Sequence, residues 1–209
     1  MKKILICIWV SIFMQCKTQK RDTLRIPTVN NSFEKFDIKT LEKKNRIDTF
    51  FLSYNSDSTI VRQLQDQSYG FIDRVFYQNT YFTLIKKYYH NKNVKEKGNV
   101  FNEGSPIGTW YYFDEEGKLI KEENTDEGYA FTPEDIIKYC KQNGIKLSKG
   151  YHESDGYQTS VYKNEVDGKK VWLISYINSL NKQDKEIKLT LDGQTGKEIK
   201  REEFSYDHY

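Results

Sequence analysis

Along most of this chain apolar and polar positions alternate with the period of two that strands require, and turn-forming residues fall where the alternation breaks. Thr49-Phe50-Phe51-Leu52-Ser53-Tyr54 and Thr59-Ile60-Val61-Arg62-Gln63-Leu64 read as two strands joined by Asn55-Ser56-Asp57-Ser58, and a third runs around Phe71 to Tyr77. Four more segments follow from Tyr81, namely Phe82 to Tyr89, Val94 to Val100, Thr109 to Phe113 and Lys118 to Glu123. Their connections are Asn91-Lys92-Asn93, a loop carrying Gly104, Pro106 and Gly108, and Asp114-Glu115-Glu116-Gly117. Each connection holds residues suited to tight turns, so the spacing predicts an antiparallel meander.

Helical signals are strongest between Thr132 and Gly144. Thr132 can cap, Pro133 presets φ at the first helical position, Asp135 stands where a capping carboxylate acts, and Gly144 follows Asn143 as a stop. This predicts a helix over 133–143 with Ile136, Ile137 and Cys140 on one face and Ile145 folded back on Cys140. A shorter helix over Phe33 to Lys44, capped by Asp37 with Ile38 and Leu41 facing inward, is also expected. Beyond the first helix, strands are predicted for Tyr157 to Lys163, Lys170 to Asn178, Glu186 to Leu191 and Lys197 to Glu203. Ile187, Leu189 and Leu191 oppose Glu186, Lys188 and Thr190, which gives that strand one wet face. Val171 to Ile177 is apolar on both faces, as a central strand would be if covered by the helix on one side and the N-terminal region on the other. The fold class expected is α+β, with antiparallel β meanders and one well-capped helix (about 133–143) packed on the C-terminal sheet.

The N-terminus follows another pattern. Lys2 and Lys3 precede an apolar run from Ile4 to Met14, then come Gln15, Cys16 and the polar stretch Lys17 to Asp22. This is the layout of an export signal, and the run is shorter than the roughly 20 residues a membrane-spanning helix needs. The expected organisation is a signal peptide over 1–15, a tether over 16–32, a β-rich region over 33–128 and an α+β unit over 129–209. Cys16 at the cleavage position resembles the lipobox of bacterial lipoproteins, although Phe13, Met14 and Gln15 stand where that family has leucine and small residues. The resemblance implies that the Cys16 thiol carries diacylglycerol and becomes the first residue of the mature chain. Two or more acyl chains hold a protein on a bilayer where one alone is marginal. The alternative is a signal cut elsewhere, with Cys16 an incidental thiol.

Two further resemblances bear on the folded body. Gly98, the run Gly108-Thr109-Trp110-Tyr111-Tyr112-Phe113-Asp114, and Gly117-Lys118-Leu119 resemble bacterial MORN-type repeats, over about residues 80–125. The closing run Lys188 to Ile199, with Asp192 and the turn Thr195-Gly196-Lys197, is similar to a PepSY-type domain spanning 130–203. That likeness implies a small α+β module of secreted or anchored bacterial proteins, in several cases thought to bind or restrain a protein partner, with no shared catalytic residues. Its link from Lys146 to Gly156 is longer than the family's.

Composition narrows the chemistry. With 16 Tyr and 12 Phe against 3 Pro and 2 Met, aromatic side chains suited to pleated surfaces dominate. The 33 basic and 30 acidic residues are intermixed, so no nucleic-acid footprint is visible. Of 3 cysteines, Cys7 leaves with the signal and Cys140 is the sole thiol besides Cys16, which excludes a disulfide framework. Cys140 lies on an apolar helix face, where cysteine behaves as a small hydrophobe. His90, His152 and His208 lack metal-ligand spacing, and Gly193 to Lys197 leads into a strand rather than the helix a phosphate loop requires. The carboxylate runs Asp114-Glu115-Glu116 and Glu202-Glu203 read as solvated faces.

No catalytic residue, metal or cofactor is therefore expected, and Cys16 is the one assigned site. The expected function is that of a lipid-anchored, non-catalytic protein of the bacterial envelope, periplasmic or surface-facing, that binds or inhibits a protein partner. The MORN resemblance adds an immunity or antitoxin-like version. The alternatives are an envelope hydrolase acting on glycans or peptides, and a structural subunit of an outer-membrane assembly.

Overall fold

The computed structural model describes residues 26–38, 45–47, 50–66, 70–102, 104–152, 159–180 and 183–205. Within them the fold is mostly antiparallel β with one short helix. The first sheet comprises β1 (Asn45–Ile47), β2 (Phe50–Tyr54), β3 (Thr59–Asp66), β4 (Gly70–Tyr77), β5 (Phe82–Tyr88), β6 (Val94–Phe101), β7 (Ser105–Phe113) and β8 (Leu119–Asn124). Each strand pairs with the next, so the sheet is a single meander whose last edge is β8. Helix α1 (Pro133–Gln142) follows, then β9 (Ser160–Val166), β10 (Lys169–Leu180), β11 (Gln183–Asp192) and β12 (Glu198–Ser205). These four form a second sheet in the order β12-β11-β10-β9.

Local chemistry accounts for these elements. At the β2–β3 turn the Asp57 carboxylate accepts from Thr59 N at 3.0 Å and from its hydroxyl at 2.6 Å. At the β9–β10 turn Asp167 and Gly168 both take positive φ, 51° and 75°, as a hairpin with the native twist requires. Thr132 Oγ1 accepts from Asp135 N at 3.3 Å while the Asp135 carboxylate accepts from Thr132 N at 3.2 Å, satisfying two backbone donors that the start of α1 leaves open. After Gly144, Ile145 N returns to Cys140 O at 2.8 Å and places the isoleucine under the helix.

Both sheets contribute to one core. Ile136, Cys140 and Ile145 bury against Val161, Trp172, Ile174, Ile187, Leu189 and Leu191, and Phe82, Phe101 and Ile107 of the first sheet complete the cluster. The Phe101 and Trp172 rings meet edge to face at 6.3 Å across the junction. Removing each such side chain from water contributes roughly 1.5–3 kcal/mol, enough to make the two sheets one structural unit.

Several expectations need correction. The segment predicted as a loop with Gly104, Pro106 and Gly108 is mostly strand, because β7 starts at Ser105 and the reversal lies between Phe101 and Ser105. Proline is tolerated there since β8 ends at Asn124, opposite Thr109, and leaves one flank of Pro106 without a ladder. Among the described residues the first sheet does not join the second face of β10. The first sheet packs on the same side as α1, and on the opposite face Val171 is buried while Leu173 and Ile177 stay half-buried, beside Tyr162, which is 46% exposed. The strands expected over Lys170 to Asn178 and Glu186 to Leu191 run further toward each other than predicted, since β10 and β11 pair out to Leu180 and Gln183. Strand β1 was not anticipated.

Phe33 to Asp37 are not helical, and helix is assigned first at Ile38, directly after the expected cap Asp37. Lys35 makes a β-bridge with Asn93, and Phe36 N donates to Lys92 O at 2.8 Å. Phe36 stacks on Phe71 at 4.5 Å, which draws the chain out flat against the sheet; Leu41 and the rest of the expected helix beyond Ile38 lie outside the described residues. Upstream, the stretch 26–32 follows β6, with Asn99 Nδ2 donating to Pro27 O and Lys97 Nζ to Ser32 O, both at 2.6 Å. Among the described residues no helix is long and apolar enough to cross a membrane.

Candidate functional site

An opening of about 890 Å³ forms a cleft between β8 and β9. Lys121 to Asn124 form one wall, Lys163 to Glu165 the other, and the turn Asn124-Thr125-Asp126-Glu127-Gly128 closes the end between them. That turn is set by its own side chains. Asn124 Oδ1 accepts from Asp126 N at 3.1 Å, Asp126 Oδ2 accepts from Gly108 N at 2.9 Å, and Gly128 takes a φ of +83°. The β7–β8 hairpin and the start of the second sheet are thereby held a fixed distance apart.

Lys163 is the fixed point of the cleft. It occupies a core-facing position of β9, its side chain only 9% exposed, and its ammonium donates to Pro106 O at 3.1 Å, to Thr125 O at 2.9 Å and to the Asp126 carboxylate. The rings of Tyr129 and Trp172 lie 4.9 and 5.4 Å away. Burial pushes the pKa of Lys163 down, with Asp126 opposing the shift. All three N–H bonds are used, so this cation ties β7, the turn and β9 together instead of facing a ligand.

The remaining cleft is acidic. Glu122, Glu123, Glu127 and Glu165 line it together with Lys121 and Lys170. Lys121 donates to Glu123 at 2.9 Å and the Tyr112 hydroxyl to the same oxygen at 2.8 Å, and these two bonds hold the Glu123 carboxyl below its ordinary range. Lys170 is taken up by Glu165 at 2.6 Å. The Glu122 carboxylate accepts from the Asn31 amide at 3.1 Å.

The residues singled out from sequence do not gather here. Cys140 is buried under α1 and burial pushes its thiol up to about 12, which leaves it inert at neutral pH. His90 and His152 are exposed and distant from one another in the chain; His208 and Cys16 lie outside the described residues. No group of three or more His, Cys, Asp or Glu that could hold a metal ion occurs among the described residues. Asp114 organises the β7–β8 turn by accepting from Lys118 N at 2.8 Å, and Glu202 and Glu203 lie on the edge strand β12. Gly193 to Lys197 forms a turn pinned by Asp192, whose carboxylate accepts from Gln194 N at 3.1 Å and Thr195 N at 2.8 Å. The glutamates of the cleft were not picked out from sequence. The signal that could have found it is Lys163, a charged residue at an inward position two residues from Val161.

No family model matches the chain, and neither a curated protein nor a solved structure matches it.

Proposed function

We propose that the chain is a lipid-anchored, non-catalytic protein of a bacterial envelope that binds a protein partner through the cleft between β8 and β9. The observation that carries this reading is the cleft itself, an opening lined by sheet-edge strands and ionised side chains. Glu123 is held charged by Lys121 and Tyr112, and Lys163 is saturated by three acceptors, so both are suited to fixing a shape and a potential rather than to passing a proton. The anchor reading rests on Lys2, Lys3, the apolar run and Cys16. Ile26 lies over a small crevice shared with Tyr129, at the end of the cleft, and the chain from Cys16 to Ile26 reaches at most roughly 35 Å. A lipid on Cys16 would hold the cleft close to the bilayer.

Within this proposal β5 to β8 form the MORN-like meander and α1 with β9 to β12 the PepSY-like unit. The sharper version makes the partner an exported toxin or hydrolase and this chain its inhibitor. The test is incorporation of labelled palmitate, its loss in Cys16→Ala, and a stoichiometric partner retained on the detergent-solubilised wild-type protein. An alanine variant that still labels and still sediments with membranes removes the anchor; solubilised protein that never retains a partner removes the binding reading.

A second reading is favoured by the glutamates gathered in one cleft, which a hydrolase of envelope glycans or peptides would also need. It requires a carboxyl held protonated above the usual range, whereas Glu123 is shifted the other way. Turnover of envelope glycan that Glu123→Gln abolishes would establish it.

A further inference from the structure

We infer that the occupant of the cleft is an extended basic segment of the partner protein, adding to β8 as a further strand of the first sheet. The inference rests on the binding reading above and names its ligand. Lys121, Glu122, Glu123 and Asn124 all line the opening, although successive residues of a strand point to opposite faces. Four consecutive lining residues mean that the cleft follows the edge of β8 and not one of its faces. The first sheet ends at β8, so among the described residues no strand takes up the backbone groups on that side.

The other wall is closed by comparison. Asn102 Nδ2 donates to Thr159 O at 2.6 Å, Ser105 Oγ donates to Val161 O at 3.2 Å and accepts from Lys163 N at 2.6 Å, and the Tyr129 hydroxyl donates to Asn164 O at 2.8 Å. The edge of β9 is thus occupied by this chain's own side chains, and β8 is the edge left for an incoming strand. Strand addition draws affinity from main-chain hydrogen bonds and selectivity from alternate side chains.

Charge selects the side chains. Lys163 is spent on Asp126, Lys121 on Glu123 and Lys170 on Glu165, and among the described residues no ion pair reaches Glu122 or Glu127. Both are exposed and face an incoming strand with an acidic surplus that lysine or arginine complements. Ile120, 61% exposed at the irregularity of β8, adds an apolar contact beside the same edge. A cleft near 890 Å³ falls in the upper range of ligand sites and suits a peptide better than a small molecule.

The test is a selection from a random octapeptide library on the mature full-length chain, followed by amide hydrogen exchange with the enriched peptides. The expected winners carry Lys or Arg at alternate positions, slow exchange at β8, and bind at least about tenfold more weakly to the double variant Glu122→Lys with Glu127→Lys. Winners that are acidic or apolar, that protect β12 instead, or that ignore the charge reversal overturn the inference. A photo-crosslinking residue at Asn164, on the β9 wall of the cleft, that captures a partner in the native cell, while one at Ile120 captures none, overturns it and leaves the binding reading standing. No adduct at either position removes both.

Discussion

The indole of Trp110 lies face-on against the backbone of Gly98, so close that a β-carbon at residue 98 would fall 2.3 Å from the ring atoms. Its Nε1 donates to Asn99 O at 3.0 Å, and the β6–β7 register shifts between Lys97 and Asn99. The glycine admits the ring, and the ring seals the face on which Ile85 and Val100 are buried. Gly98→Ala should therefore destabilise the fold by about 1–3 kcal/mol, the usual cost of forcing extra volume into a packed site. Urea unfolding checks this, and a change within about 0.5 kcal/mol would contradict the packing described.

Acid should loosen the N-terminal segment through Glu34. Burial alone would raise this carboxyl, but Lys86 at 2.5 Å and Lys97 at 2.8 Å outweigh it and hold it below its ordinary 4.5. The unfolded chain then takes up the proton first as pH falls. The stabilisation is fully present above the ordinary carboxylate range and is lost as pH drops through the folded value. Glu34→Gln should cost about 2 kcal/mol at neutral pH, because Lys97 loses its counter-charge while Ser32 O still accepts from it. It should also flatten the stability curve below pH 4.5. Parallel curves for variant and wild type would exclude this role.

The Lys163 ammonium should act as a clamp between the sheets. Lys163→Met keeps the apolar stem but leaves Pro106 O, Thr125 O and Asp126 without their donor, and a loss of about 2–4 kcal/mol is expected. Hydrogen exchange should quicken first at Gly108 and around Thr125. Uniform quickening along the chain would show that the residue is not local to the junction.

Cys140 reports on opening of the shared core. With its thiol pushed up to about 12 by burial, alkylation at pH 8 should proceed only through unfolding, and the logarithm of its rate should fall in proportion to stability across variants. Rapid labelling of the native protein would place the thiol at the surface.

The β2–β3 turn and the presence of a short helix after Thr132-Pro133 were the most legible parts of the sequence, because Asp57 and Thr132 each act on backbone groups within a few residues. The start of β7 was misread for the same reason. Gly104, Pro106 and Gly108 are breakers by local rules, and only the early end of β8 makes a proline harmless in that strand. The both-sided apolar pattern of β10 was visible, but which side the first sheet would cover depends on where Phe82, Phe101 and Ile107 meet Trp172. The cleft was hidden more deeply. Glu122 and Glu165 are far apart in the chain and come together only because Lys163 and the Asp126 turn bring the strands β8 and β9 alongside one cavity.

The central claim is that this body is held at a bacterial membrane by lipid on residue 16. Mass determination of the protein isolated from native membranes tests it most directly. The account predicts a chain that begins at Cys16 and carries the added mass of a diacylglyceryl group; a soluble chain that still begins at Met1 would contradict it.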